Sequence, residues 1–348
     1  MRLFQKRNVP ENLEKKRSSC DCAVEVRDLT VQYVTSKETV EAVNGISFRL
    51  ERKHTLGLVG ETGAGKTTAM LALMNMVPNP PGVIREGTIV VNGLNMRELT
   101  PAELQAVRGK EIAMIFQDPM TSLNPVMTVG DQIAESIMLH RHIKEKEALA
   151  EAEKILATVG IDPARAVEYP HQFSGGMRQR VGIAIALACH PSVLIADEPT
   201  SALDVTIQAQ ILRMMKQLKE ENDTSMIMIT HDLGVVAELC DEIAVMYAGR
   251  IVEYGTLEEV FNHTAHPYTE GLFNSLPNIH NRQQKLQPIP GLMPDPANLP
   301  AGCAFAERCA YATDACRTAQ PETHRFSDTH YAACSAYRDP AFHINRGK

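Results

Sequence analysis

Two kinds of apolar pattern divide the chain. Between residues 23 and 50, Val24, Val26 and Leu29 begin a strand-like pattern, and Val43, Ile46, Phe48 and Leu50 resume it after a polar turn at 35–38. This predicts an antiparallel lead-in sheet. Further on come short, mainly apolar runs at 56–59, 112–116, 192–196 and 225–229, the last two opened by a serine. Runs of that length bounded by polar residues predict buried strands. Residues 87–91 read as another strand, closed by the turn signal Asn92-Gly93. Helical spacing occupies 67–76, much of 128–167, 181–189 and 205–219, with Gly160 stopping the charged helix 144–159 and a Pro-rich break at 78–82. The alternation of buried strands with helices predicts an α/β fold.

The run 56–59 leads directly into Gly60-Glu61-Thr62-Gly63-Ala64-Gly65-Lys66-Thr67-Thr68, and a helix follows. This is the G-x-x-x-x-G-K-[ST] phosphate-binding loop in the context that its mechanism requires. The glycines let successive amides face phosphate oxygens at a helix N-terminus. Lys66 is expected to reach the β- and γ-phosphates, Thr67 to ligate Mg²⁺, and Thr68 to contact a phosphate from the first helical turn. A Gly-rich turn with a solvated lysine is the competing reading, and the strand and helix on either side count against it.

Polar residues then recur at the ends of the apolar runs. Gln117 follows 112–116, Asp197 and Glu198 follow 192–196, and His231 follows 225–229 with one residue between. Open α/β sheets gather ligand chemistry at the C-terminal ends of their strands, so these four residues are expected to face one crevice. Asp197 would complete the metal site, Glu198 would polarise an attacking water as general base, Gln117 would hold metal-bound or attacking water, and His231 would touch the γ-phosphate. Taken singly, Gln117 is an ordinary loop polar group and His231 a lone histidine. Tyr33, in the lead-in sheet, is an aromatic able to stack on adenine, or simply a strand residue. Ser174-Gly175-Gly176 precedes an Ala-rich helix and forms a second candidate anion site.

Composition narrows the setting. Hydrophobic residues make up 44% and charged residues 22% of 348, the profile of a soluble globular protein. The apolar run 181–189 is too short to span a bilayer. Residues 1–22 read as a basic tail rather than a secretory leader. A net charge of −7 provides no general footprint for nucleic acid. Eight cysteines without a leader point to a reducing compartment, where clustered thiols more often bind metal than form disulfides. Cys189 and Cys240 lie in helical core sequence, and Cys20-Asp21-Cys22 carries no clear reading. Cys303, Cys309, Cys316 and Cys334, with five, six and seventeen residues between them, fit neither paired C-x-x-C zinc spacing nor a ferredoxin run. Spacing alone leaves a cluster, a zinc ion and free thiols open.

Taken in order, these motifs resemble the ATP-binding subunits of ABC transporters over residues 23–256. The resemblance implies a P-loop ATPase core with an antiparallel lead-in sheet and a helical insert, occupying 23–260 with the helical subdomain at about 118–190. It implies that Tyr33 stacks on adenine, that Gln117 couples ATP to the membrane subunit, and that Ser174-Gly175-Gly176 is the signature. It also implies that residues 201–204 face a dimer partner and that His231 is the switch histidine. Phe173-Ser174-Gly175-Gly176-Met177 departs from the commoner Leu-Ser-Gly-Gly-Gln, with the Ser-Gly-Gly donors intact. In that family two subunits dimerise head to tail, each signature closing over the partner's ATP.

The form Phe-Ser-Gly-Gly-Met-Arg-Gln-Arg, with His266-Pro267-Tyr268-Thr269 and Ile289-Pro290-Gly291, is similar to the oligopeptide and dipeptide (peptide/nickel) importers. The implied function is ATP hydrolysis driving uptake of peptides or a related small solute, by a peripheral protein on the cytoplasmic face of the inner membrane. The implied partners are a second ATPase subunit, identical or paralogous, two transmembrane permease subunits docking on Gln117 and 128–167, and an extracytoplasmic binding protein. Residues 261–348 are expected to form a small C-terminal domain, in which the resemblance favours a [4Fe–4S] cluster on the four cysteines, with Zn²⁺ as the alternative. ATPases of this core that act in DNA repair or on ribosomes usually carry two cores or a long coiled coil, and neither pattern is present here. A regulatory subunit with little turnover is disfavoured by Glu198 and His231.

Overall fold

In a computed structural model, residues 13–118, 122–201, 203–275 and 287–344 are described. Most of the basic tail, Pro119 in the loop after Gln117, and Ala202 in the loop expected to face a dimer partner lie outside them.

The lead-in pattern forms two long strands, β1 (Val24–Val34) and β2 (Thr39–Leu50), paired antiparallel from Val24↔Leu50 to Val34↔Thr39. After β3 (Thr55–Val59) and α1 (Lys66–Leu73), strand β4 (Gly82–Val91) returns to the far edge of β1, and β5 (Leu94–Asn95) folds back through the Asn92-Gly93 turn. The order in this sheet is β2-β1-β4-β5. Helix α2 (Pro101–Val107) follows, begun by a capping box between Thr100 and Glu103.

The second sheet holds the chemistry. Strands β6 (Ile112–Ile115), β7 (Val193–Asp197) and β8 (Ser225–Ile229) run parallel with β3 and with β9 (Glu242–Tyr247). Every residue of β3, β6, β7 and β8 is buried, because both faces of the sheet are covered. One apolar cluster, with Leu29, Ile46, Met70, Ile195 and Ile227, fills the space between the two sheets around α1. The other covers the opposite face, with Val181, Leu212, Val236 and Tyr247.

Between β6 and β7 the chain forms the helical insert. Helix α3 (Val129–Arg141) is capped by the Thr128 hydroxyl, and α4 (Glu145–Thr158) buries Ala148, Ala152 and Leu156, one residue per turn. Gly160 ends α4 in the left-handed conformation, as its position predicts. Helix α5 (Gly175–Leu187) starts six residues before the apolar run that predicts it, because Ser174 caps it and the two glycines form its first turn. Helices α6 (Val205–Glu221), capped by Asp204, and α7 (Leu233–Leu239), capped by Asp232, complete the alternation with the strands. Among the described residues, no helix is long and apolar enough to cross a membrane.

Strand β10 (Arg250–Thr256) turns back on β9 through Ala248 and Gly249, both at positive φ. After α8 (Leu257–Asn262), α9 (Pro267–Asn274) and α10 (Asp314–Thr318), the last strands, β11 (Thr323–Arg325) and β12 (Tyr331–Ala333), add to the same sheet. Tyr331 and Ala332 pair with Tyr254 and Glu253 of β10, so the sheet reads β11-β12-β10-β9-β3-β8-β7-β6. The C-terminal segment thereby edges the parallel sheet. Glu253 is fully buried beneath this junction, where its carboxylate accepts from Ala265 N, His266 N and His330 Nε2 at 2.7, 3.0 and 3.0 Å.

Candidate nucleotide site

The phosphate loop spans the gap from β3 to α1. A Cβ on Gly60 would lie 2.1 Å from the Met246 carbonyl oxygen, and one on Gly65 2.2 Å from that of Ala42, so the tight curl excludes any side chain at either place. Lys66 is 6% exposed, and its Nζ donates to the carbonyl oxygens of Gly60 (2.6 Å) and Glu61 (2.9 Å). Burial lowers its pKa, against the opposing pull of Glu198, Asp197 and Glu61. The ammonium is held by backbone carbonyls that are weaker partners than a triphosphate.

Strand β7 delivers the two acids. Asp197 is its last residue, 2% exposed, and Thr67 Oγ1 donates to its Oδ2 at 2.8 Å. Burial raises the Asp197 pKa, and the Thr67 hydrogen bond works against that rise. Glu198 follows at φ 44°, a costly conformation for a residue with a Cβ, locked by its amide bond to the Ile229 carbonyl at the end of β8. The sharp turn aims the carboxylate out of the sheet. Gln117 Nε2 donates to Glu198 Oε2 at 2.9 Å, and His231 Nδ1 lies 3.3 Å from Oε1. Ser201 Oγ donates to the Gln117 carbonyl at 3.4 Å. The ends of β6, β7 and β8 therefore converge on one carboxylate beside the phosphate loop. An oxygen donor set of Thr67 and Asp197 suits Mg²⁺.

Two predicted features, Tyr33 and the 174–176 segment, stand apart from that centre. Tyr33 lies at the other side of α1, its hydroxyl 3.3 Å from Thr68 Oγ1. Ser174 and Gly175 are exposed at the head of α5, and among the described residues no hydrogen bond joins 174–176 to the phosphate loop.

Cys303, Cys309, Cys316 and Cys334 all line one small cavity, together with His266, Phe305 and Tyr311. Burial pushes the thiols of Cys309 and Cys334 up to about 12 and about 11, and raises Cys303. Among the described residues, no group of three or more His, Cys, Asp or Glu side chains stands where it could hold a metal ion, so the expected metal site is not seen in this cavity.

Several residues of the site have no local sequence signal. The amide of Glu61 donates to Tyr268 Oη (2.8 Å), and Arg308 Nη1 and Nη2 donate to the Glu61 carboxylate at 2.9 and 3.0 Å. Burial works against the Arg308 charge, but hydrogen bonds to Glu61 and Tyr247 outweigh it and its pKa rises. Tyr268 lies in the 266–269 motif and Arg308 directly precedes Cys309, but neither position marks the phosphate loop as its partner.

A phosphate loop whose lysine and threonine face two strand-end acids, on a parallel sheet edged by an antiparallel one, defines a P-loop ATPase. The family described as "ABC transporter" matches residues 43–201, and "Oligopeptide/dipeptide transporter, C-terminal region" matches 252–316. The oligopeptide transport ATP-binding protein OppD of Bacillus subtilis is 51% identical over 88% of this chain and 87% of its own length. AppD of the same organism, also an oligopeptide transport ATP-binding protein, is 47% identical over 91% and 97%. The dimeric ATP-binding cassette MJ0796 with ADP and Pi superposes with a TM-score of 0.61 at 26% identity, covering 67% of this chain and 98% of that one. The cassette cbiO1 of Clostridium perfringens gives 0.60 at 26% identity, covering 70% and 92%. The chain belongs to the ATP-binding subunits of ABC transporters, and it is an ATPase.

Proposed function

We propose that this chain powers the uptake of di- or oligopeptides, or of a related small solute, from the cytoplasmic face of the inner membrane. Its C-terminal match and the names of its relatives support the peptide assignment. The observation that carries the mechanism is the meeting of Gln117, Glu198 and His231 beside Lys66, Thr67 and Asp197.

Lys66 exchanges its two carbonyl partners for phosphate oxygens. Thr67 and Asp197 would hold Mg²⁺, which would supply charge neutralisation to the phosphates. Glu198, held between Gln117 and His231, takes the proton of the attacking water. Tyr33 stacks on the adenine. Ser174, Gly175 and Gly176, exposed in one chain, serve the ATP of a second subunit in a head-to-tail dimer.

Two permease subunits supply the membrane path, and an extracytoplasmic binding protein delivers the solute. Their docking surface includes Gln117 and the insert 128–167, near which Phe116, Val126, Val167 and Tyr169 are exposed. Residues 23–260 act as the ATPase unit and 261–348 as the extension. The gathering of the four cysteines around one cavity is what supports a structural [4Fe–4S] cluster there, with Zn²⁺ as the alternative.

The test is ATP hydrolysis by the complex in proteoliposomes. Binding protein loaded with peptide should stimulate hydrolysis, and stimulation by a non-peptide solute alone would overturn the peptide assignment. Iron and sulfide analysis after anaerobic purification tests the cluster: about four of each per chain is expected, and their absence would remove it from the account.

A further inference from the structure

The phosphate loop has an acid at its second position, close to where a triphosphate must bind. Glu61 is nevertheless fixed at three points. Its amide donates to Tyr268, its carbonyl accepts from Lys66, and its carboxylate takes both Nη atoms of Arg308, 247 residues away in sequence. The Arg308 side chain is 6% exposed. Its Nε donates to the Pro290 carbonyl (2.8 Å) and its Nη1 also to Tyr247 Oη (3.1 Å), while the guanidinium lies 5.7 and 5.9 Å from the ring centroids of Tyr247 and Phe305. Pro290 leads into the segment carrying Met293, whose Cε lies 3.0 Å from the place of a Cβ on Gly63. One guanidinium thus joins the phosphate loop, β9 and the segment lying over the loop.

We propose that Arg308 is a positioning residue of the ATP site, holding the phosphate loop through Glu61 and cancelling a carboxylate that would otherwise oppose the triphosphate. The C-terminal extension is then part of the nucleotide site, because the residue that sets the loop's charge sits between two cysteines of that extension. Only an arginine suits this place. Its planar fork meets the carboxylate with two parallel bonds and still has Nε for Pro290, which a lysine ammonium cannot reproduce.

The inference rests on the reading of residues 60–68 as the ATP site, and the experiment separates the two. MgATP binding to the full-length chain is measured by titration calorimetry for wild type, Lys66→Ala, Arg308→Met, Arg308→Lys, Glu61→Gln and the Glu61→Gln/Arg308→Met double variant. Lys66→Ala should abolish binding. If it binds like wild type, the site reading itself fails. Arg308→Met should raise the Kd about tenfold, the scale of a lost charge-assisted contact. Adding Glu61→Gln should recover most of that loss, since no carboxylate is then left unpaired. A purely structural role for Arg308 would give no such recovery. A Kd for Arg308→Met within twofold of wild type, or no recovery in the double variant, overturns the proposal. Should Arg308→Met not fold, Arg308→Lys carries the test: it keeps the charge and loses the fork, a rise of about threefold is expected, and an unchanged Kd overturns the proposal.

Discussion

Phe305 packs the C-terminal extension against Tyr247 of the ATPase core, and replacing it with alanine should weaken that contact. The ring is 4% exposed, edge-on to Tyr247 at 5.3 Å and to Tyr268 at 5.4 Å, with His266 at 6.0 Å. A buried phenylalanine removes ~200 Å² from water, or ~5 kcal/mol at 25 cal/mol per Å². Residual structure in the unfolded chain reduces this, and the cavity left by alanine adds to it, so the loss should be ~3–5 kcal/mol. Urea unfolding followed by circular dichroism reads the loss directly, and limited proteolysis shows whether cleavage begins in residues 287–344. Phe305→Leu should recover about half of the loss by refilling the space. If Phe305→Ala cost less than ~1 kcal/mol, the aromatic junction would not be what holds the extension, and the coupling between extension and phosphate loop would lose its support.

Two further outcomes follow from the polar contacts of two buried carboxylates, Asp197 and Glu253. Thr67→Val keeps the shape and removes the hydroxyl beside Asp197, so ATP affinity should lose its Mg²⁺ dependence while metal-free binding persists in calorimetry with and without chelator; a wild-type response to Mg²⁺ would contradict the assignment of Thr67. Glu253→Gln sets an amide nitrogen against the backbone amide of either Ala265 or His266 at a fully buried position, and should cost ~3 kcal/mol or more in urea unfolding; a change below ~1 kcal/mol would show that the carboxylate is not needed there.

The sequence discloses what is local. The phosphate loop is nine consecutive residues, and the strand-end acids, Gln117 and His231 are recognised by the apolar runs before them. The boundaries of β8 follow directly from its apolar run. Helix α5 is misjudged at its start because glycine's low helix propensity hides a first turn that Ser174 caps. The β9–β10 hairpin turns on Ala248-Gly249 rather than an Asn-Gly signal, so nothing nearby marks it. Least legible is the extension. The Arg308 to Glu61 pair and the docking of β12 on β10 join residues far apart in the chain, and only tertiary packing brings them together. The four cysteines illustrate the converse: their spacing fits no standard site, yet folding gathers them around one cavity.

The central claim is that Glu198, poised between Gln117 and His231, is the base for ATP hydrolysis. The most direct measurement is the single-turnover hydrolysis rate of the assembled transporter carrying Glu198→Gln. The account predicts a fall of at least ~100-fold with MgATP still bound and the subunits held together as a stable ATP-dependent dimer. Hydrolysis at the wild-type rate in that complex would contradict it.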